Sequence, residues 1–447
     1  MLWRVSRAFQ FAADRYIPDS FVFCVILTLF AFIFGLMVSP DGPLKLVLGW
    51  YNGLWTMIGF AFQMSFMVIC CGAAAKAPLV EKFLARVARM PNSASMAMVI
   101  MLVFGFVSSL INWAFSSILT PIFAMQLSRN VKGLHFPLAI AAGYTTMVLG
   151  QTWCPSASVY ALVATKGHFL EKTIGIWTQD VTVYNPVNTV IFFVMVITVI
   201  LLGVYTKPPA DELITYVPKE ETPVAATVAK DQDETLADKM NSSRFLMLLI
   251  GAAGLAVIIN SIVTKGIMKS LDFNFVIFMF LTLNAFLYNT PSKFVNAFKD
   301  MMRPAAEVML QFPFYGGIMG MMTASGLGKV VAGLLIKVAT AETIYAWSFF
   351  SAAFVNLFIP SQGGQWIVQG PILMEAAKAL NANIPLVMNA FVHGDEVTNL
   401  IQPLYVIPAL ALVGMKLKEV WGFMAFICVF WLVIVTAGFL ILPKILM

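Results

Sequence analysis

The run VHGDEVTNLIQP, Val392 to Pro403, places His393, Asp395, Glu396, Asn399 and Gln402 between two apolar stretches. A carboxyl beside an imidazole in such a setting can take up and release a proton. Carboxylate and amide oxygens can also ligate a sodium ion. Of the 22 Asp and Glu, Glu307, Glu375, Asp395 and Glu396 are those whose neighbours allow burial in a membrane. Glu307, just after Arg303 and Pro304, reads as a cap on a first helical turn. An ionisable group at membrane depth marks a working site by default. Asp395, Glu396 and Asn399 are therefore the candidate ion-coupling residues, with Gln402 in support, and a short exposed loop is the alternative.

A second polar knot is NLFIPSQGGQWIVQGP, Asn356 to Pro371. Pro360 removes a backbone donor, and Gly363-Gly364 permits a turn and a close approach to the backbone. Asn356, Ser361, Gln362, Gly363, Gly364 and Gln365 together suit a hairpin tip or broken helix. The free N–H groups and positive dipole end of such a break can hold a carboxylate. The alternative is a loop outside the membrane. A third stretch, NWAFSSILTP (112–121), offers Asn112, Ser116 and Ser117, whose hydroxyls either bind a cation or bond back to their own helix. A sodium ion near Asn112, Ser117, Asn356 and Ser361 is one possible occupant. A fourth, GQTWCPSAS (150–158), is polar and broken but carries no acid.

The elements that position these residues must be membrane helices. The chain is 60% hydrophobic and 11% charged, with mean hydropathy +0.86, too little polar surface for a soluble domain. The runs 21–38, 189–205, 245–263 and 421–442 each approach the length of a bilayer core. The fold class expected is an all-α polytopic membrane protein of about 10–13 segments, with re-entrant hairpins and broken helices. Arg4, Arg7 and Arg15 before the first run favour an uncleaved first helix and a cytoplasmic N-terminus. The net charge of +6 is spread over short loops, so it sets orientation and offers no nucleic-acid surface. The 5 Cys show no CxxC spacing and the 3 His cannot build a His-rich metal site. HExxH, GxSxG and Walker motifs are absent, and no cofactor is expected beyond a coupling sodium ion or proton.

Residues 207–244 are polar, charged and rich in Pro, and read as a flexible linker between a first membrane half (1–206) and a second (245–447). The halves resemble each other weakly. The segment around Gln63 aligns on that around Gln311, and SSLINWAF (108–115) on SAAFVNLF (351–358), which pairs Asn112 with Asn356. Gln63 and Gln311 are thus supporting candidates. Basic residues follow the Gln63 span but largely precede the Gln311 span, so the two are expected to cross in opposite directions, as inverted repeats do.

QFPFYGGI (311–318), VNLFIPSQGGQWIVQGPI (355–372) and QPLYVIPALAL (402–412) resemble the short-chain fatty acid transporter family of bacterial inner membranes. The likeness runs over nearly the whole chain. It implies secondary uptake of small carboxylates such as butyrate or acetoacetate. More distantly it implies the wider ion-transporter superfamily, with inverted repeats, anion and cation sites at hairpin tips, and often a homodimer. The chain departs from the family pattern at Gln362, in GQTWCP near 150–155, and in GDEVTN (394–399). The reading is a multi-pass inner-membrane carrier of small monocarboxylates with a proton or sodium ion, its partners being the substrate and the lipid bilayer. Alternatives are a dicarboxylate or amino-acid carrier, a passive channel, and an intramembrane hydrolase using His393, Asp395 and Glu396.

Overall fold

The computed structural model describes residues 2–446 apart from 17–19, Asn112, Ser156, 165–167, Phe169, 217–234, 267–269, 271–272, Ser361 and Pro403. Its regular structure is helical throughout the described residues. That follows from composition: apolar surroundings offer the backbone no water, and a helix satisfies its own N–H and C=O groups. The N-terminal part runs through α1 (Leu2–Tyr16), α2 (Ser20–Val38), α3 (Gly42–Thr56), α4 (Ile58–Ala75), α5 (Pro78–Ala88), α6 (Ala94–Ile111), α7 (Trp113–Asn130), α8 (Phe136–Gln151), α9 (Ser158–Val163), α10 (Glu171–Ile174) and α11 (Pro186–Tyr205). After the linker helix α12 (Leu236–Asn241) come α13 (Arg244–Lys265), α14 (Phe273–Tyr288), α15 (Pro291–Asp300), α16 (Met302–Ser325), α17 (Leu327–Ile336), α18 (Ile344–Asn356), α19 (Gln362–Ala379), α20 (Ile384–Thr398), α21 (Ile407–Val413), α22 (Leu417–Ile441) and α23 (Pro443–Leu446).

Helix starts follow local chemistry. Proline stands in the first turn of α3, α5, α8, α11, α15, α20 and α21, where its missing N–H leaves no bond unmade. The side chains of Asn185, Thr290 and Asn383 accept from Val187, Lys293 and Leu386 N–H. Among the described residues, four stretches are long and apolar enough to cross a bilayer, Gly42–Ala74, Pro186–Tyr205, Leu236–Lys265 and Leu417–Leu446.

The helices sort into two packed groups that cut across chain order. In one, α16 lies along α3 and touches α2 and α4, while α14 packs on α4 and α13. In the other, α8 is buried along its whole length among α6, α7, α11, α20 and α22. The first group depends on glycine. A Cβ at Gly53 would stand 2.2 Å from the Gly316 carbonyl oxygen, and one at Gly320 would stand 2.1 Å from that of Gly49. Two small-xxx-small strips, Gly49/Gly53 and Gly316/Gly320, let these backbones touch.

The start of the linker folds back on the N-terminal part. Phe136 N–H donates to Ile214 O at 2.8 Å, Ile214 N–H to His135 Nδ1 at 3.1 Å, and Tyr216 N–H to Ser128 Oγ at 3.1 Å. Glu212 receives Trp3 Nε1 at 3.3 Å and pairs with Arg7 at 2.9 Å. Burial, then the Arg7 guanidinium, push His135 down to about 4.

Two outcomes are expected. Gly53→Val forces α3 off α16, an overpacking that costs about 1–3 kcal/mol or more, and should lower the melting temperature of purified protein or abolish a monodisperse gel-filtration peak. Wild-type behaviour would overturn the close contact. Between its folded value of about 4 and an ordinary value of about 6.5, His135 binds a proton in the unfolded chain only. Stability should therefore fall as pH drops through that window, and His135→Asn should flatten the fall. Parallel pH–melting curves would count against it.

Candidate functional site

Three helix breaks among the described residues gather here. α18 stops at Asn356 and α19 starts at Gln362, with Pro360 between. α20 stops at Thr398 and the chain resumes as α21 at Ile407. α8 stops at Gln151 and α9 begins at Ser158, with Pro155 between. α6 ends at Ile111 and α7 begins at Trp113. The breaks meet crosswise. Trp113, at the start of α7, packs its ring on Tyr405 in the break after α20, at 5.4 Å. Gly363, at the start of α19, has a Cβ position 3.6 Å from Ser158 Cβ at the start of α9.

Every such break strands backbone groups that apolar surroundings cannot serve, and amide side chains serve them. Gln362 Oε1 accepts from Val159 N–H at 3.1 Å, and Gln362 Nε2 donates to Glu396 Oε1 at 3.0 Å. Asn399 Nδ2 donates to Glu396 Oε2 at 3.1 Å, and Tyr144 O–H to Asn399 O at 3.0 Å. Asn356 Nδ2 lies 2.6 Å from Asp395 O, 2.9 Å from Thr398 Oγ1 and 2.8 Å from Asn399 Oδ1, two protons shared among three oxygens. Thr398 Oγ1 donates on to Ala353 O at 3.0 Å.

Glu396 thus receives one amide N–H on each carboxyl oxygen. Asp395 differs. It is fully buried, and among the described residues neither of its carboxyl oxygens has a hydrogen-bond partner, so a charge there would stand undissipated. No Lys or Arg is among the buried described residues, so no fixed cation balances either acid. Among the described residues no group of three or more His, Cys, Asp and Glu gathers to hold a metal. One turn earlier on α20, His393 Nε2 lies 3.0 Å from Asn188 Oδ1, and Asn389 Nδ2 donates to Tyr160 Oη at 2.9 Å and Thr182 O at 3.0 Å.

The predicted residues divide. Asn356, Gln362, Asp395, Glu396 and Asn399 come together, with Gly363 and Gly364 in the adjoining first turn of α19. Gln365 Nε2 donates to Ala352 O and Gln369 Oε1, and Gln369 to Ser351 Oγ, which binds α19 to α18. Ser116 Oγ receives Ser108 Oγ at 2.9 Å and lies 3.2 Å from Gly105 O, binding α7 to α6, and Ser117 is buried beside it. Gln402 is buried in its break and accepts from Leu404 N–H. Gln63 donates to Asn274 Oδ1 at 2.7 Å, on α4 and α14, and Gln311 is buried on α16. Both belong to the glycine-packed group. Glu375 is exposed, which corrects its placement among the buried acids. Asn112, Ser361 and the side chain of Glu307 lie outside the described residues. Sequence reasoning missed Tyr144, Tyr160, Asn188 and Asn389. The signal for the two amides was a lone Asn in an apolar run.

Residues 1–442 match the family described as Short chain fatty acid transporter. A Haemophilus influenzae protein is 32% identical over 433 residues, 95% of this chain and 96% of the relative. An Escherichia coli protein is 30% identical over 428 residues, again 95% and 96%. Both are provisionally named short-chain fatty acid transporters. Among solved structures, the Alcanivorax borkumensis YdaH transporter aligns over 94% of this chain and 98% of its own, with a TM-score of 0.42 and 15% identity.

The amide web gives a stability test. Asn356→Ala strips the donor from Asp395 O and Asn399 Oδ1, and each buried orphan costs about 1–3 kcal/mol. Its melting temperature should fall well below that of Gln63→Ala, whose pair lies at the protein surface. Equal effects would count against the web.

Proposed function

We propose that this chain, which belongs to the short-chain fatty acid transporter family, carries short-chain monocarboxylates across the bacterial inner membrane together with a proton. The observation that carries the reading is the Gln362 amide, shared between Glu396 and the Val159 N–H. It stands where the starts of α9 and α19 face each other, and the positive dipole end of a helix start suits an anion.

Coupling follows from charge. A substrate carboxylate about 5 Å from an ionised Glu396 meets a repulsion of roughly 3 kcal/mol at an effective dielectric near 20. No buried Lys or Arg offsets it among the described residues. A proton on Glu396 removes that charge and turns one oxygen into a donor. The same protonation weakens the claim of Glu396 on Gln362 Nε2, which is then released to hold the substrate at the start of α19. Proton and anion each lower the cost of the other, and by linkage each raises the other's affinity equally. A dicarboxylate would bring a second charge to a pocket without a cation.

The hydrolase alternative requires His393, Asp395 and Glu396 to face one cavity. Among the described residues they make no hydrogen bond to one another, and His393 and Glu396 are engaged with different partners.

The test is labelled butyrate uptake into proteoliposomes under separately imposed proton and sodium gradients. Saturable uptake driven by the proton gradient is expected, with counterflow, which a passive channel lacks. Glu396→Gln should keep butyrate exchange but lose gradient-driven accumulation. Gln362→Leu should weaken both, by roughly ten- to hundredfold, the range for a hydrogen bond to a charged group. No short carboxylate transported under either gradient would sink the substrate class. Sodium-driven uptake indifferent to Glu396→Gln would sink the proton.

A further inference from the structure

Helix α5 is two-faced. Val80, Phe83, Leu84 and Val87 recur at helical spacing on one side, and Lys82, Arg86 and Arg89 follow at i, i+4 and i+7 on the other. Such a helix lies in the membrane surface, with its apolar side at the depth of the acyl chains and its basic side among the headgroups. Lys76, Lys82, Arg86 and Arg89 are exposed, and residues 76–89 set them against a single acid, Glu81. A basic segment of this kind faces the cytoplasm, where the leaflet carries anionic lipid. None of the ion pairs among the described residues uses Lys82 or Arg86.

The apolar side of α5 covers a cavity of about 280 Å³. The cavity lies on the seam between the two helix groups. Ala74 on α4 and Leu283 on α14 wall it from the glycine-packed group, and Phe104 on α6 and Ile118 on α7 wall it from the other. Asn284 Nδ2 and Tyr288 O–H fasten α14 to Cys70 O and Ala73 O of α4, at 2.7 and 2.6 Å. The one hydroxyl on the lining, that of Ser108, is already engaged with Ser116 Oγ at 2.9 Å. An apolar cavity of about 150 Å³ stays dry and takes a benzene ring, and this one is larger still. Nothing on its wall could hold a carboxylate, so the short-chain substrate does not belong in it. Phe83 and Leu283 are exposed at its mouth, which opens toward the bilayer.

We infer that this cavity is a lipid site. An acyl chain of an anionic glycerophospholipid enters past Phe83 and Leu283, and Lys82 and Arg86 hold its phosphate. Arg86 follows Phe83 by one helical turn, within about 5–6 Å at Cβ. Its stem can lie along apolar surface while the guanidinium meets phosphate oxygens in a bidentate pair. A zwitterionic lipid offers the same chain but brings its own cation beside the phosphate, so charge selects between the two. A chain seated here touches both helix groups and fills space that neither closes alone. The site stands apart from the substrate and coupling reading above.

The test is lipid binding to the full-length protein in a neutral detergent. Dioleoyl-phosphatidylglycerol and dioleoyl-phosphatidylcholine are titrated separately and read by native mass spectrometry. Wild type should hold the phosphatidylglycerol more tightly. Lys82→Gln combined with Arg86→Gln should weaken that lipid about thirtyfold, the usual strength of two basic groups beside an anionic surface, and leave phosphatidylcholine unchanged. Ala74→Leu, which fills the cavity without altering a charge, should weaken phosphatidylglycerol more than tenfold, since each methylene kept out of the cavity is lost to binding. Equal binding of the two lipids by wild type would overturn the proposal. So would wild-type affinity for phosphatidylglycerol in either variant. Should Ala74→Leu not fold, wild type is titrated with dihexanoyl-phosphatidylglycerol, whose short chains leave the cavity part empty. Much weaker binding than that of the dioleoyl lipid is expected, and equal binding would overturn the site. Because the readout is lipid and not uptake, a failure of butyrate transport would leave this result standing.

Discussion

A backbone cannot be left bare in apolar surroundings, and this fold breaks its helices three times inside its core among the described residues. Each unpaired N–H or C=O costs several kcal/mol there. The solution is the buried amide side chain, which donates and accepts at once. Gln362 serves a helix start on one side and a carboxylate on the other. Asn356 serves the end of α20, and Asn399 ties that end to Glu396. The breaks persist because these groups satisfy one another, and any ligand that enters must exchange for bonds of the same kind.

The web also joins parts of the chain far apart in sequence. The start of α19 is fastened to the start of α9, and the break after α20 to Tyr144 on α8. The glycine-lined contact of α3 with α16 makes a similar long-range union in the other group, with backbone against backbone in place of amides. One union is dry and rigid, and the other is polar and able to exchange partners. The chemistry belongs to the second.

Much of this was legible in the sequence. The apolar runs 21–38, 189–205, 245–263 and 421–442 became α2, α11, α13 and α22, because twenty apolar residues admit little else. The breaks at Pro155 and Pro360 were legible because proline removes a backbone donor and these stretches are polar, whereas Pro121, Pro313 and Pro371 stand inside helices in more apolar surroundings. Asp395 and Glu396 stood out as acids beside a histidine between two apolar stretches. What stayed hidden were partners. Gln362, Gln365 and Gln369 look alike in sequence, yet one faces a carboxylate and two bind their own hairpin together. Asn188 and Asn389 gave no cue beyond being single amides in apolar helices, which serve as interhelical glue as readily as anything else. Ser116 and Ser117 carried two readings, and the Ser116 hydroxyl lies on its own hairpin. Side-chain type set the candidates, but only packing decides which way an amide points.

The α3–α16 contact has a consequence for how the protein is made. α3 is synthesised early, with its Gly49 and Gly53 strip uncovered, and its partner strip on α16 follows most of the chain later. Until then the exposed backbone of α3 has no protein surface to meet. Contacts between distant segments are slow to form, because loop closure precedes any gain. Both unions join residues from the early and the late part of the chain, so neither can close until the late part has been made.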